Sequence, residues 1–237
     1  MKGMIAVQFL PDLPAVFLFF LFLLSVTAMM KQKRKLEKKE QELYDMQINI
    51  LSAQISQHFI YNTLTTIKYL CKKDALLAAE TVDEFAGYLR GNLEALTGDK
   101  TIWFSEELMH VKNFLAIEQK RFGKRINVIY DIREEAFMIP PLTLQPIVEN
   151  AVKHGIAPKE QGGTIRISTG KNDTDYWIRV EDDGVGYCVK ERAKEKKTHI
   201  GMCNVAGRVG GLCGGSVKVL SSFGEGTKVL ITIPRRK

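Results

Sequence analysis

Residues 140–155 read PPLTLQPIVENAVKHG, and this stretch decides the fold because it combines a helical repeat with chemically useful side chains. Its apolar residues recur at helical spacing and predict a helix packed on a sheet. These residues are Leu144, Ile147, Val148, Ala151 and Val152. The polar side carries Glu149, Asn150, Lys153 and His154. Glu149 and Lys153 stand at i, i+4, as do Asn150 and His154, so each pair is predicted to lie together.

Two interpretations of this polar side remain open. A solvated helix face is the simpler one. The other is a site for Mg²⁺ and a triphosphate, because asparagine and glutamate oxygens suit Mg²⁺ and a lysine suits phosphate.

Segments with strand-like composition flank this helix. They cover residues 126–132, 164–169, 176–182, 216–222 and 227–233. A further helix is predicted over about residues 202–212. Strands mixed with a few helices favour an α+β fold, an α/β sandwich of one sheet with helices on one face. The predicted domain covers residues 126–237.

Helices are predicted upstream of the sheet. Residues 31–71 contain no glycine or proline and predict one long helix, and residues 74–96 predict a second. Two antiparallel helices bury little surface alone, so this hairpin is predicted to dimerise as a four-helix bundle. A third helix is predicted from an N-cap at Ser105 to Phe122, with Gly123 ending it.

The first of these helices carries the stretch QISQHFIYNTL, residues 54–64, with His58 at its centre and Asn62 one turn later. A single histidine on a helix is usually an exposed or half-buried residue without chemical duty. A functional role for His58 therefore depends on the rest of the chain.

The N-terminal part of the chain predicts a membrane anchor. Residues 14–30 read PAVFLFFLFLLSVTAMM, without a charged residue, and a bilayer needs roughly 20 such residues. The basic run KQKRKLEKK, residues 31–39, follows and accounts for much of the +7 net charge. By the positive-inside rule the part of the chain that follows is predicted to be cytoplasmic. A cleaved signal peptide is the alternative, although its basic residues should precede the apolar run.

The predicted organisation is an anchor (1–30), a basic juxtamembrane helix (31–50), the helical hairpin region (51–125) and the sheet domain (126–237). A basic cluster could also bind nucleic acid. Its position directly beside the anchor favours a membrane surface, so direct nucleic-acid binding is not expected.

Three glycine-rich stretches follow the helix at 140–155. VEDDGVGY, residues 180–187, ends a strand at Asp182 and places Gly184 and Gly186 in a turn. HIGMCNVAGRVGG, residues 199–211, opens a helix near Gly201. SSFGEGTKV, residues 221–229, turns between strands. Each stretch alone is typical of an ordinary turn.

Taken in order, E-N-x-x-K-H, D-x-G-x-G, I-G-M-x-N-V and G-E-G-T resemble the Bergerat-type ATP-binding domain shared by histidine kinases, gyrase and MutL. QISQHFIYNTL resembles the phosphoacceptor stretch of LytS/YesM-type sensor histidine kinases, and IPPLTLQPIVENAVKHGI is similar to that subfamily as well. The resemblance covers about residues 43–234. It departs from the family pattern at Gln57, Asp183 and His199, which replace a proline, an asparagine and a glycine.

The resemblance implies ATP and Mg²⁺ as cofactors. His58 would be phosphorylated, Asn150 and Glu149 would serve the metal or its water, and Asp182 would accept from the adenine amino group. The implied ATP-binding residues are Asn150, Lys153, His154, Asp182, Gly184, Gly186, Gly201, Asn204, Arg208, Gly224, Gly226 and Thr227. The implied catalytic residues are His58, Glu149 and Asn62, where Asn62 would orient the imidazole or a hydrolytic water.

The expected function is a membrane-anchored sensor histidine kinase that acts as a homodimer. It would pass the γ-phosphoryl group of ATP to His58 and then to an aspartate of a cognate response regulator. Two alternatives remain: an ATP-binding regulator of the same superfamily without phosphotransfer, and a non-enzymatic membrane scaffold.

Overall fold

A computed structural model describes residues 21–27, 29–35, 38, 57–97, 100–188 and 200–235. The chain forms two compact units, Met1–Gln54 and Ile55–Lys237. In the first unit the described residues are helical. Within the described part of the chain, no helix has the length and apolar character needed to cross a membrane. Most of the predicted anchor at 1–30, and much of the predicted helix at 31–71, lie outside the described residues.

An antiparallel helical hairpin opens the second unit. Its helices are α1 (Gln57–Lys73) and α2 (Ala75–Thr97). Asp74 separates them, and its Oδ1 accepts the Leu77 N–H at 3.0 Å, which caps the start of α2. Phe59 on α1 contacts Tyr88 on α2 across the hairpin, with 4.6 Å between ring centroids. The predicted hairpin is therefore confirmed in the described residues.

Helix α3 (Phe104–Phe122) packs closely on α2. Gly87 and Gly91 allow this approach, because a Cβ at Gly91 would stand 2.6 Å from the His110 ring. Gly123 ends α3 with a φ of 62°, as predicted. The predicted N-cap at Ser105 is wrong. The N-cap position is occupied two residues earlier by Trp103, without a side-chain cap, because the chain leaves its β-pairing with Met138 at Trp103 and enters the helix directly.

The second unit contains a five-stranded mixed sheet. Its strands are β2 (Ile126–Ile132), β4 (Gly163–Lys171), β5 (Asp175–Asp182), β6 (Ser216–Ser222) and β7 (Gly226–Pro234). Their order is β2-β4-β5-β7-β6, where β2 and β4 are parallel and the other neighbours antiparallel. The predicted strands are thus confirmed. A short antiparallel pair, β1 (Ile102–Trp103) with β3 (Met138–Ile139), was not predicted.

Helices cover one face of this sheet. They are α3, the short α4 (Gln145–Asn150) with its π-helical continuation (Ala151–Ile156), and α5 (Ile200–Cys213). The π-helical segment packs on β4, β5 and β7, and α5 packs on β6 and β7. Buried residues from the hairpin, these helices and the sheet form one apolar core. This confirms the α+β class, while the predicted domain limits at 30, 50 and 125 stay predictions.

Candidate functional site

A buried carboxylate on α3 holds the start of α4. Glu107 accepts the backbone N–H groups of Leu142 and Leu144, both at 2.9 Å, and that of Gln145 at 3.1 Å. Burial raises the pKa of Glu107, although these three bonds act in the opposite direction. Leu142 adopts a φ of 55°, a strained conformation for a branched side chain. Glu107 therefore supplies from another helix the N-terminal cap that α4 lacks.

Arg208 completes this support on the other side of the turn. Its guanidinium donates to the Leu142 carbonyl oxygen at 2.6 Å and lies near the Glu107 charge. Burial lowers the pKa of Arg208. Arg208 thus holds the turn before α4 and does not line the pocket described below. Its predicted ATP-binding role stays a prediction.

The polar side chains of the 140–155 stretch point in two directions. The α-helix ends at Asn150 and continues as a π-helix, which changes the predicted i, i+4 spacing. Asn150 and His154 line a pocket on one side. The Glu149 carboxylate turns to the hairpin instead, where it accepts from Gln145 at 2.7 Å and from the Tyr88 hydroxyl at 3.3 Å. Lys153 is exposed.

The pocket lies between the π-helical segment, α5 and the sheet. It is lined by Ile147, Asn150, Ala151, His154, Gly155, Val180, Asp182, Gly186, Tyr187, Met202, Val219, Thr227 and Val229. Most of these side chains are apolar, with a few polar groups among them. This composition is typical of a small-molecule site, where apolar side chains surround the ligand and a few polar groups orient it.

Asp182 is the buried acid of this pocket, 9% exposed at the end of β5. Strand pairing sets it opposite Thr227, which also lines the pocket. Its Oδ1 accepts the Gly184 N–H at 3.0 Å. Burial raises the pKa of Asp182 to about 6. The predicted role of Asp182, in which its carboxylate accepts a hydrogen bond from the adenine amino group, stays a prediction.

We expect the affinity for ATP to fall as the pH drops below about 6, the pKa of Asp182. A protonated carboxyl is neutral and loses acceptor capacity, so the loss should approach about tenfold per pH unit. Isothermal titration from pH 8 to 5 measures it. Because the triphosphate also titrates, the control is purine riboside triphosphate, which lacks the 6-amino group. An equal pH dependence for both nucleotides would contradict the assignment of Asp182 to the amino group.

Glycines bring the backbone segments around Asp182 together. A Cβ at Gly186, where φ is 60°, would overlap the Ser222 carbonyl oxygen. A Cβ at Gly226, where φ is 81°, would overlap the Asp182 carbonyl oxygen. Gly184 packs in the same way on the Gly155 backbone. These predicted glycines therefore serve close approach between protein segments.

Gly155 is a pocket residue that sequence reasoning missed. A Cβ there would stand 2.6 Å from Asp182 Oδ1. The available signal was a glycine within a helical pattern, which usually marks a packing or functional need. Met202, at the start of α5, also lines the pocket without having been predicted.

Other predicted ATP-binding residues lie outside the pocket lining. Gly201 and Gly224 have open space where a Cβ would stand, although Gly224 needs its φ of 79° for the β6–β7 turn. Asn204 on α5 is exposed. The structure thus brings together Asn150, His154, Asp182, Gly186 and Thr227, and leaves these three aside.

His58 is exposed on α1, and Asn62 contacts its ring. The Asn62 Nδ2 atom lies 3.0 Å from His58 Nδ1 and 3.2 Å from Nε2. A donor almost equidistant from both ring nitrogens is not aligned with either lone pair, so the contact restrains the ring without selecting a tautomer. His58 does not line the pocket in this arrangement.

Two family models match the chain. The model described as "Histidine kinase" matches residues 46–126, which include His58. The model described as "Histidine kinase-, DNA gyrase B-, and HSP90-like ATPase" matches residues 141–237, which include the pocket. The protein YwpD of Bacillus subtilis is 36% identical over 194 residues, covering 79% of this chain and 70% of YwpD.

The chain belongs to the histidine kinase family. Sensor histidine kinase YpdA of Escherichia coli is 35% identical over 197 residues, covering 81% of this chain and 34% of YpdA. Sensor histidine kinase YesM of B. subtilis is 32% identical over 218 residues, covering 89% of this chain and 38% of YesM. These relatives confirm the LytS/YesM-type resemblance, and the chain spans little more than a third of the length of either.

The pocket offers one side chain that suits the Mg²⁺ ion implied by the histidine kinase family. Asn150 lines the pocket and offers an amide oxygen. The described residues include no cluster of three or more His, Cys, Asp or Glu side chains that could hold a metal. Nucleotide-bound Mg²⁺ needs only one or two protein ligands, because phosphates and water supply the others. Asn150 is placed to be one such ligand through its amide oxygen, whereas Glu149 does not reach the pocket in this structure.

Two of the three residues that depart from the family pattern lie in the part of the chain that the structure describes. Asp183, which replaces an asparagine, accepts the Thr164 N–H at 2.8 Å, and its carbonyl oxygen accepts from Lys159 at 2.6 Å. Gln57 starts α1 and is exposed. His199, the third departure, lies outside the described residues.

Proposed function

We propose that this chain, an ATP-dependent protein histidine kinase, is a membrane-anchored sensor kinase that phosphorylates His58. The observation that carries the proposal is the pairing of an exposed histidine on a helical hairpin with a pocket lined by Asn150, His154 and Asp182 in one compact unit.

In the proposed reaction a ring nitrogen of His58 attacks the γ-phosphorus of ATP. A phosphorus–nitrogen bond forms, the bond from the γ-phosphorus to the bridging oxygen breaks, and ADP leaves. The ring proton passes to solvent. An aspartate carboxylate of a response regulator then takes the phosphoryl group, and His58 is restored.

The residues of the pocket position the nucleotide for this transfer, since phosphoryl transfer depends mainly on positioning and charge stabilisation. Asp182 would accept from the adenine amino group, while Lys153 and His154 would approach the phosphates. Asn150 would hold Mg²⁺, which neutralises phosphate charge when it is bound. Glu149 would contribute at the metal or its water only after leaving its present partners.

Homodimerisation through the hairpin is part of the proposal. Six large apolar side chains on α1 and α2 are exposed: Tyr61, Leu64, Tyr69, Leu76, Val82 and Leu93. A second hairpin would bury such side chains in a four-helix bundle. The apolar run at 14–30 and the basic run at 31–39 support membrane anchoring with a cytoplasmic kinase region.

The test is incubation of the full chain, in detergent or vesicles, with Mg²⁺ and γ-labelled ATP. A histidine kinase yields a covalent label that is labile in acid and stable in base, and α-labelled ATP yields none. Nucleotide binding without a covalent label would favour the regulator without phosphotransfer. Absence of nucleotide binding would favour the scaffold.

Replacing Asn62 with alanine should affect dephosphorylation of the response regulator more than labelling of His58. Asn62 lies on the same helical face as His58 and can hold a hydrolytic water. We expect regulator dephosphorylation to slow about tenfold or more, with the autophosphorylation rate within about twofold. Thr65→Ala, an exposed change on the same helix, is the control. An equal loss of both activities would defeat this role.

A further inference from the structure

A buried polar cluster joins the hairpin to the helix that carries Asn150. Tyr88 on α2 is 1% exposed, and its hydroxyl donates to Glu149 Oε1 at 3.3 Å. Gln145 Nε2 donates to the same oxygen at 2.7 Å and to Asn92 Oδ1 at 3.2 Å. Asn92 in turn donates to the Tyr88 carbonyl oxygen at 2.9 Å. The hairpin is therefore hydrogen-bonded to the side of α4 that faces away from the pocket.

The same tyrosine is in contact with the helix of the phosphoacceptor. Phe59, the residue after His58, is 5% exposed and packs its ring 4.6 Å from that of Tyr88. Phe59 also packs 5.1 Å from the ring of Phe114 on α3. Because these rings are tightly packed, a movement of α1 near His58 must displace Tyr88 or be resisted by it.

The Tyr88–Glu149 contact belongs to an arrangement in which His58 and the pocket are apart. Neither His58 nor Glu149 lines the pocket, whereas Asn150, the residue after Glu149, does. Delivery of His58 to a nucleotide requires the hairpin and the pocket to change their relation, within one chain or between two. Any contact that holds α4 on the hairpin therefore opposes that change.

We propose that the Tyr88–Glu149 contact restrains the kinase, keeping the nucleotide pocket on the hairpin until α1 moves. Tyr88 is thus a positioning residue that acts through Glu149. This inference rests on the proposed function, since it concerns the rate of His58 phosphorylation. It makes the buried aromatic cluster the route by which a displacement of the phosphoacceptor helix reaches the pocket.

The cluster permits a conservative test. Loss of the Tyr88 hydroxyl leaves Glu149 with the shorter bond from Gln145, and Lys153 still provides a favourable charge against the repulsion of Glu118. The ring of Tyr88 keeps its packing on Phe59 and Phe114. Tyr88→Phe should therefore fold.

The experiment measures the initial rate of His58 labelling by γ-labelled ATP in the full chain and in Tyr88→Phe. We expect the rate to rise about threefold to tenfold, the effect of losing one long hydrogen bond to a charged group. The Kd for ATP should change by less than about twofold, because Tyr88 does not line the pocket. Tyr69→Phe is the matched control: it removes a hydroxyl from a tyrosine that is 60% exposed and should leave the rate unchanged.

Hydrogen exchange provides a readout independent of phosphorylation. In the absence of nucleotide, the amides of Gln145 and of residues 147–150 should exchange faster in Tyr88→Phe than in the parent chain. An unchanged or lower labelling rate in Tyr88→Phe, or unchanged exchange in α4, would overturn the restraint. If the parent chain itself never labels His58, the proposed function fails instead, and the exchange result still decides whether the contact restrains α4.

Discussion

Replacing His58 with glutamine is expected to abolish phosphoryl incorporation while leaving nucleotide binding intact. A glutamine amide has no basic nitrogen lone pair, so the nucleophile of the proposed reaction is lost and the labelling rate should fall by about a thousandfold or more. His58 is exposed on α1 and does not line the pocket. The Kd for ATP should therefore stay within about twofold, as for a site distant from the ligand.

The matched control is His110→Gln. His110 lies on α3, half-buried against Gly91, and is assigned no chemical role. Its replacement should preserve labelling, with correction for any loss of folded protein. Labelled protein in His58→Gln would show that another residue accepts the phosphoryl group. A simultaneous loss of ATP binding would show that His58 has a structural role in the pocket.

Replacing Glu107 with alanine is expected to give the largest loss of stability. Three backbone N–H groups at the start of α4 would lose their acceptor. Arg208 would also lose the nearby opposite charge within a buried environment. Removal of one partner from a buried charged network typically costs about 3 to 5 kcal/mol in the free energy of unfolding. We expect the urea midpoint to fall accordingly.

The neighbouring residue supplies the control for this experiment. Glu106 is exposed on the same helical turn, so Glu106→Ala should change the free energy of unfolding by no more than about 0.5 kcal/mol. Glu107→Gln should fall between the two, because one amide oxygen can still accept some of these bonds. Equal stability of Glu106→Ala and Glu107→Ala would contradict the capping role of Glu107.

Helix α4 and its π-helical continuation contact the pocket on one side and the hairpin on the other. Asn150 and His154 face the pocket, and Glu149 faces the hairpin. Its start is held from α3 by Glu107 and from α5 by Arg208. A substitution in the hairpin, in α3 or in α5 can therefore alter the pocket without contacting a ligand. This makes α4 the element on which folding and the proposed regulation converge.

Much of the sheet domain could be predicted from sequence because its signals are local. Alternating residues and turn glycines predicted strand β6 with the bounds that the structure has, and Gly123 predicted the end of α3. Asp182, Gly186 and Thr227 were predicted for one site, and strand pairing brings Asp182 opposite Thr227. Local patterns and the family likeness therefore determined the pocket's main polar residues.

The sequence by itself determined the helical hairpin and α3, the five strands of the main sheet, the histidine kinase family and the candidate nucleotide residues. Only the tertiary structure decided that Glu107 caps α4, that Arg208 supports the same turn, and that Glu149 turns to Tyr88 and away from Asn150. The reason is separation along the chain. Propensity and periodicity depend on neighbours within a turn or two, whereas the partner of a buried charge is chosen by the packing of distant elements.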